Sequence, residues 1–359
     1  MFFVTDIMAF VRAPVTKPNF LQRQLFVGIH LGSVSYVKNV LDQNQVNVNE
    51  FFPTIDILEF VLKEYNYKEY EHLSLSPLSV AASFHHYQIC DLLLQAGADI
   101  NLPSKQGYLS LNVAIKCLRR KIIYYYLSYS DATLLHLVSY EHDTELLEYL
   151  LNNGGDVKAM DENEDTPLHW AVTKFNGKNV LCTVQHLVES GADVNALDIY
   201  KQTPIFVDRR REKSQGLIHM DSETKQKETA CQIVQYFHEH GTNFFVTDYR
   251  GNPVLHHLLT NKDLIFFEAM KSYCNIRQPG KFGGNLVCWF PVPEEMDMIS
   301  LLDADDVNNT DIYGETALYR AAFCGNVKAV IQLIHLGADV NIMNKFGFTP
   351  LASTSSHQV

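Results

Sequence analysis

A five-residue phrase, Gly-Ala-Asp-Ile/Val-Asn, recurs at Gly97–Asn101, Gly191–Asn195 and Gly337–Asn341, with a degenerate copy at Gly154–Lys158. A second phrase, related to Thr-Pro-Leu-His, follows it and is clearest at Thr166–His169. The steps Ser76 to Leu109, Thr133 to Thr166 and Thr316 to Thr349 are each 33 residues. A fixed period of this length means one supersecondary unit stacked many times, each burying its core against its neighbours. Elsewhere the period breaks. Leu109 to Thr133 is 24 residues, Thr166 to Thr203 is 37, Thr203 to Pro253 is 50 and Pro253 to Thr316 is 63. The short step points to a unit that has lost part of a helix, and the last two to long insertions.

The residue types explain the phrases. Ser or Thr before Pro supplies a capping oxygen at a helix start, and Pro loses nothing by lacking an N–H at the first helical position. Pro77, Pro167, Pro204 and Pro350 sit there. Small residues follow at Ala81–Ala82, Ala171 and Ala321–Ala322, allowing close helix approach. A second helix carries the apolar pairs Leu92–Leu93, Leu146–Leu147, Leu187–Val188 and Leu333–Ile334. Gly97, Gly154, Gly191, Gly241 and Gly337 then end it, where a left-handed residue is needed. Asp248–Gly251 and Asp311–Gly314 read as tight turns into the next unit.

These phrases resemble the ankyrin repeat, a β-turn finger followed by two antiparallel helices. The resemblance implies an all-α solenoid of helix-turn-helix units with short β-turn fingers, about eight units plus a truncated last one. It runs from 19 to 352, after an N-terminal cap segment at 1–18 and before a tail at 353–359. The clear units are 73–101, 131–159, 161–196 and 311–342; weaker ones are read at 19–49, 106–130, 198–244 and 248–308. The family's His position, filled by His136, His169 and His256, implies an imidazole bonded to the turn backbone of a neighbouring unit. Asparaginyl hydroxylation is also known of such repeats, with Leu eight residues before the Asn. Leu187/Asn195 and Leu333/Asn341 match that spacing.

Composition narrows the partners. The net charge of −12 disfavours nucleic acid and anionic membranes, which are bound through basic surfaces. Seven cysteines, an odd number without CxxC, suit a reducing, intracellular and most simply cytoplasmic setting. Cys90, Cys182, Cys231 and Cys324 fall in helical stretches and read as small core residues. The apolar start, MFFVTDIMAFVRAP, is broken by Asp6 and too short to span a bilayer, so membrane insertion is not expected.

Three insertions depart from the repeat. Residues 50–72 read as a degenerate helix pair or, alternatively, as a partner-binding arm. Residues 208–227 carry Arg209–Arg211, which matches a short nuclear-import signal but is interleaved with acids, as in a solvated helix extension. Residues 275–300 hold Trp289 and Phe290 in a Gly- and Pro-rich loop, which reads either as an apolar flap folded back over the solenoid flank or as a binding site, since Trp is favoured at binding hot spots.

No P-loop, GxGxxG, HExxH or GxSxG is present, so no catalytic residue, metal ligand, cofactor or small-molecule substrate is assigned. Ankyrin solenoids bind proteins through finger tips and inner helices. On the tips this chain places Tyr200, Tyr249, Arg250, Tyr313 and Phe346, the aromatic and Arg composition of hot spots. The acidic tip Asp161–Asp165 would suit a basic surface. The reading is a non-catalytic interaction module, acting as adaptor, inhibitor or scaffold for one or more proteins. Its competitor is a host-directed or regulatory effector with a cryptic enzymatic activity in the divergent C-terminal half.

Overall fold

The computed structural model describes residues 17–43, 45–51, 76–102, 131–173, 175, 179–207, 223–260, 263–275, 278–281, 283 and 306–354. The N-terminal segment 1–16, Arg209–Arg211, Trp289, Phe290 and most of the three insertions lie outside these residues. The chain divides into two compact units, Met1–Ile199 with Arg211–His219, and Tyr200–Arg210 with Met220–Val359.

Among the described residues the first unit holds four helix pairs: α1 (Lys17–His30) with α2 (Val34–Leu41), α3 (Pro77–Ser83) with α4 (Tyr87–Gln95), α5 (Leu134–Glu141) with α6 (Thr144–Asn152), and α7 (Pro167–Thr173) with α8 (Val180–Glu189). First helices pack on first helices, α1 on α3 and α5 on α7; second helices do likewise, α2 on α4 and α6 on α8. In the second unit a 3-10 turn at Pro204–Phe206 precedes α9 (Glu223–Glu239), α10 (Val254–Thr260), α11 (Leu264–Met270), α12 (Ala317–Phe323), α13 (Val327–His335) and α14 (Pro350–Thr354). Among the described residues the only extended pairings are isolated bridges, such as Thr247 with Pro253 and Thr310 with Thr316. The fold is helical, as expected.

The capping chemistry is present in detail. Ser76 Oγ accepts the Ser79 N–H at 3.2 Å, and Thr316 Oγ1 accepts the Tyr319 N–H at 3.1 Å. Second helices use a different cap: Asp143, Asp263 and Asn326 accept from the third residue onward through side-chain oxygens. At the far end, Gly191 and Gly337 have φ of +94° and +95°, with open space where a Cβ would stand. Backbone conformation alone therefore demands glycine there. The buried faces follow helical spacing, with Leu146, Leu147 and Leu150 on α6 and Ala329 and Leu333 on α13.

Consecutive pairs are joined by an asparagine clamp. Asn49 Nδ2 donates to the Gly97 carbonyl at 3.0 Å while its Oδ1 accepts the Asp99 N–H at 2.7 Å. Asn101 repeats this on Gly154 and Asp156 at 3.2 and 2.8 Å, and Asn308 on Gly337 and Asp339 at 3.4 and 2.8 Å. Asn101→Ala removes both bonds at once, so a loss of about 1–2 kcal/mol is expected in urea denaturation. An unchanged midpoint would show the clamp to be incidental.

Some expectations need correcting. The weak unit at 106–130 lies outside the described residues, and the pairs on either side of it touch directly. Asn101 clamps Gly154 and Asp156, and the Tyr149 hydroxyl of α6 donates to Asp91 of α4 at 2.6 Å. Among the cysteines, Cys90 is buried and Cys182 half-buried, but Cys231 and Cys324 are exposed. Cys231 sits just off the Ala230, Ile233, Val234 and Phe237 face of α9, and Cys324 follows the last turn of α12.

Candidate protein-binding surface

Four of the fingers are turns folded around one side-chain oxygen. Asp248 Oδ1 accepts the Arg250 and Asn252 N–H groups at 2.9 and 2.8 Å, and Asp311 Oδ1 those of Tyr313 and Glu315 at 2.8 and 2.9 Å. Asn344 Oδ1 does the same for Phe346 and Phe348, both at 3.0 Å. In the first unit Asp161 Oδ1 serves Asn163 and Asp165 at 2.8 and 3.0 Å. The fourth residue of these turns is left-handed. Gly251, Gly314 and Gly347 fill it in the second unit, but Glu164 and Lys201 adopt it too, at φ of 60° and 58°.

Fingers are tied to one another through backbone. The tip carbonyl of one accepts an N–H of the next: Asn163 from Ile199 at 3.0 Å, Tyr200 from Tyr249 at 2.8 Å, and Tyr313 from Lys345 at 2.8 Å. Residues 280–283 form a further turn, in which the Gly283 N–H donates to the Gly280 carbonyl at 2.9 Å. That turn is bridged to Asp311 on one side, and Lys281 lies against Gly251 on the other. The start of the third insertion is thus a finger in its own right, and its Lys281 was missed by sequence reasoning. The Pro-Gly and Gly-Gly dipeptides at 279–280 and 283–284 were its signal.

The proposed tip residues all lie on fingers of the second unit. Tyr249, Tyr313 and Phe346 are 51%, 38% and 69% exposed, and Arg250 is exposed beside Tyr249. Tyr200 is half-buried, its ring 5.6 Å from that of Tyr249. Arg250 lies 5.1 Å over the Tyr249 ring, and its Nε donates to the Tyr249 hydroxyl at 2.6 Å. Tyr200 therefore supports the patch more than it faces outward.

The acidic finger is less acidic on its surface than its sequence reads. Asp161 and Asp165 are buried, and only Glu162 and Glu164 are exposed. Asp161 also accepts the Trp170 indole N–H at 3.1 Å through Oδ2. Burial and the neighbouring Asp165 carboxylate push its pKa up to about 7, against the pull of these three donors.

A buried histidine holds one finger to a helix. His136 Nδ1 accepts the Thr133 N–H at 3.1 Å, and its Nε2–H donates to the Asp165 carbonyl of the next finger at 3.0 Å. Burial drives its pKa down to about 4, which fixes the neutral ring. His169 makes the same helix-start bond to Thr166 at 3.1 Å. Tyr319 occupies this position in α12 and reaches the next finger differently, accepting from Asn344 Nδ2 at 3.2 Å.

Both hydroxylation candidates sit at the clamp position. Asn341 is exposed and Asn195 half-buried; their N–H groups bond Asp339 and Asp193 at 2.9 and 2.8 Å. No group of three or more His, Cys, Asp and Glu among the described residues could hold a metal ion. No helix among them is long and apolar enough to cross a membrane. Burial raises the Cys90 and Cys274 thiols to about 12, leaving little thiolate near neutral pH.

Known proteins agree with this architecture. A family model of ankyrin repeats, in three copies, matches residues 122–198, and a single-repeat model matches 75–105 and 313–345. Among curated proteins, the palmitoyltransferase AKR1 of Lachancea kluyveri is 30% identical over 115 residues, covering 28% of this chain. The matched stretch spans only 16% of that relative's length. Finger turns, paired helices, glycine ends and family matches agree: the chain carries ankyrin repeats.

Proposed function

We propose that the chain is a non-catalytic adaptor, inhibitor or scaffold that binds a partner protein through the finger tips of its second unit. One observation carries this. Tyr249, Tyr313 and Phe346 expose aromatic surface on turns that side-chain caps and backbone bonds hold in place. Rigid aromatic anchors lose little conformational entropy on binding, which is why they dominate interface energetics. The inner helices of the repeats extend this surface. Trp289 and Phe290 are proposed contributors on sequence grounds alone.

The test is affinity capture on the full chain, comparing wild type with a Tyr249→Ala/Tyr313→Ala/Phe346→Ala variant. Recovery of specific partners is expected to fall at least about tenfold, as hot-spot truncations commonly do. An unaltered partner profile would sink the reading.

The free thiols Cys90, Cys182, Cys231, Cys274 and Cys324 support a cytoplasmic setting. Asn341, the more exposed of the two asparagines, is the better-presented hydroxylation target. A gain of one oxygen in its peptide mass after exposure to an asparaginyl hydroxylase would establish that; modification of Asn195 alone would refute the ranking. The match to a palmitoyltransferase favours a second reading, acyl transfer by the whole protein, but it rests on 115 aligned residues. A labelled acceptor protein formed from palmitoyl-coenzyme A would establish it.

A further inference from the structure

We infer that the finger row of the second unit is built for an acidic, extended peptide segment; this rests on the interaction reading above and names its partner's chemistry. The overall charge of −12 makes the local charge of this row unexpected. Lys201, Arg250 and Lys345 are all exposed on its turns. The acids of the same turns are withdrawn from the surface. Asp248 and Asp311 are buried with Oδ1 accepting two backbone N–H groups each, and Glu315 is ion-paired to Arg320 at 2.8 Å. One finger is capped by Asn344 instead of an acid, so its turn is made without a negative charge.

The apolar part of the row alternates with the basic part. Tyr249 adjoins Arg250, and Phe346 adjoins Lys345, while Ile312 and Tyr313 stand on one of the two fingers between. Arg250 spends Nε on the Tyr249 hydroxyl, which orients the guanidinium and leaves its terminal amino groups for a carboxylate. Five turns lie in series, at 200–201, 248–251, 280–283, 311–314 and 344–347. At about 10 Å per packed layer the row spans roughly 40 Å, which an extended segment covers with about 12 residues. A folded acidic surface would meet only the highest tips, whereas an extended segment follows every one. The excess of negative charge over the whole chain works against nucleic acid, whose phosphates need a larger basic field. In a peptide, carboxylates meet the Lys and Arg residues and apolar side chains meet the aromatic tips.

The test uses the full chain and labelled dodecapeptides of fixed Leu and Phe content, in which Glu replaces Ser stepwise, read by fluorescence anisotropy. Affinity is expected to rise at least about tenfold along the series, and to weaken between ~50 and ~300 mM salt as screening shortens. Lys201→Glu/Arg250→Glu/Lys345→Glu should cost at least about tenfold for the Glu-rich peptide, and the corresponding Gln variant less. Circular dichroism checks that each variant keeps the wild-type helix content. A flat series, an indifferent charge-reversal variant, or tighter binding of a dodecameric oligouridylate overturns the inference. If partners are still captured through Tyr249, Tyr313 and Phe346 while the series is flat, only the acidic-ligand inference fails. If the alanine changes also leave capture untouched, the interaction reading fails with it.

Discussion

Trp170→Ala is expected to cost about 3–5 kcal/mol of folding free energy, among the largest losses any single change in the first unit should produce. The side chain is only 4% exposed, and its ring meets His136 edge-on at a centroid distance of 5.2 Å. Its indole N–H is also one of three donors to Asp161, the side chain around which a finger is folded. Truncation thus opens a cavity beneath a finger turn and takes a donor from a buried carboxylate. The two losses separate in Trp170→Phe, which keeps most of the volume and lacks the indole N–H; about 1–2 kcal/mol is expected for that change. Urea denaturation followed by far-ultraviolet circular dichroism measures both. A loss below about 1 kcal/mol for the alanine variant would mean that the finger does not depend on this helix.

Acid should weaken the protein by a comparable amount. His136 has its folded pKa lowered from 6.5 to about 4, and so does His256, in both cases chiefly by burial. The unfolded chain takes up protons first, so stability is full above pH 6.5 and is lost as pH falls toward 4. Each histidine accounts for about 3 kcal/mol of that loss. His30 and His86 are lowered by burial too and act in the same direction. Asp161 opposes them, because its folded pKa is raised to about 7. Its contribution is fully present below the unfolded carboxylate pKa and fades as pH rises through 7. Denaturation midpoints between pH 4 and 8 should therefore climb with pH in wild type. They should climb less steeply in His136→Gln, and more steeply in Asp161→Asn. A His136→Gln profile parallel to wild type would show that this ring does not titrate on unfolding.

The sequence revealed the scaffold because its signals are local. Thr-Pro at a helix start and glycine at a helix end act within four residues, and the structure bears both out at Ser76–Pro77 and at Gly191. The tips were legible for the same reason, since Asp248, Asp311 and Asn344 announce turns that must present the residues after them. What escaped was decided at longer range. Glu164 and Lys201 carry no sign that they take the left-handed position filled elsewhere by glycine, because neighbouring fingers hold their turns shut. The burial of Asp161 and Asp165 was hidden because an acid that caps a turn reads the same as one facing water. Lys281 was missed because its finger lacks the Asp that marks the others.

The asparagine clamps have an evolutionary consequence. Each grips only a backbone carbonyl and a backbone N–H, so it recognises the neighbour's shape and not its side chains. Clamp partners stand 31 residues apart at Asn308–Asp339 but 50 at Asn49–Asp99 and 55 at Asn101–Asp156, with the same bonds closed. Such a joint lets a lineage acquire or discard intervening sequence without re-matching the pieces on either side. Novelty can accumulate between layers while the splice that holds them stays the same.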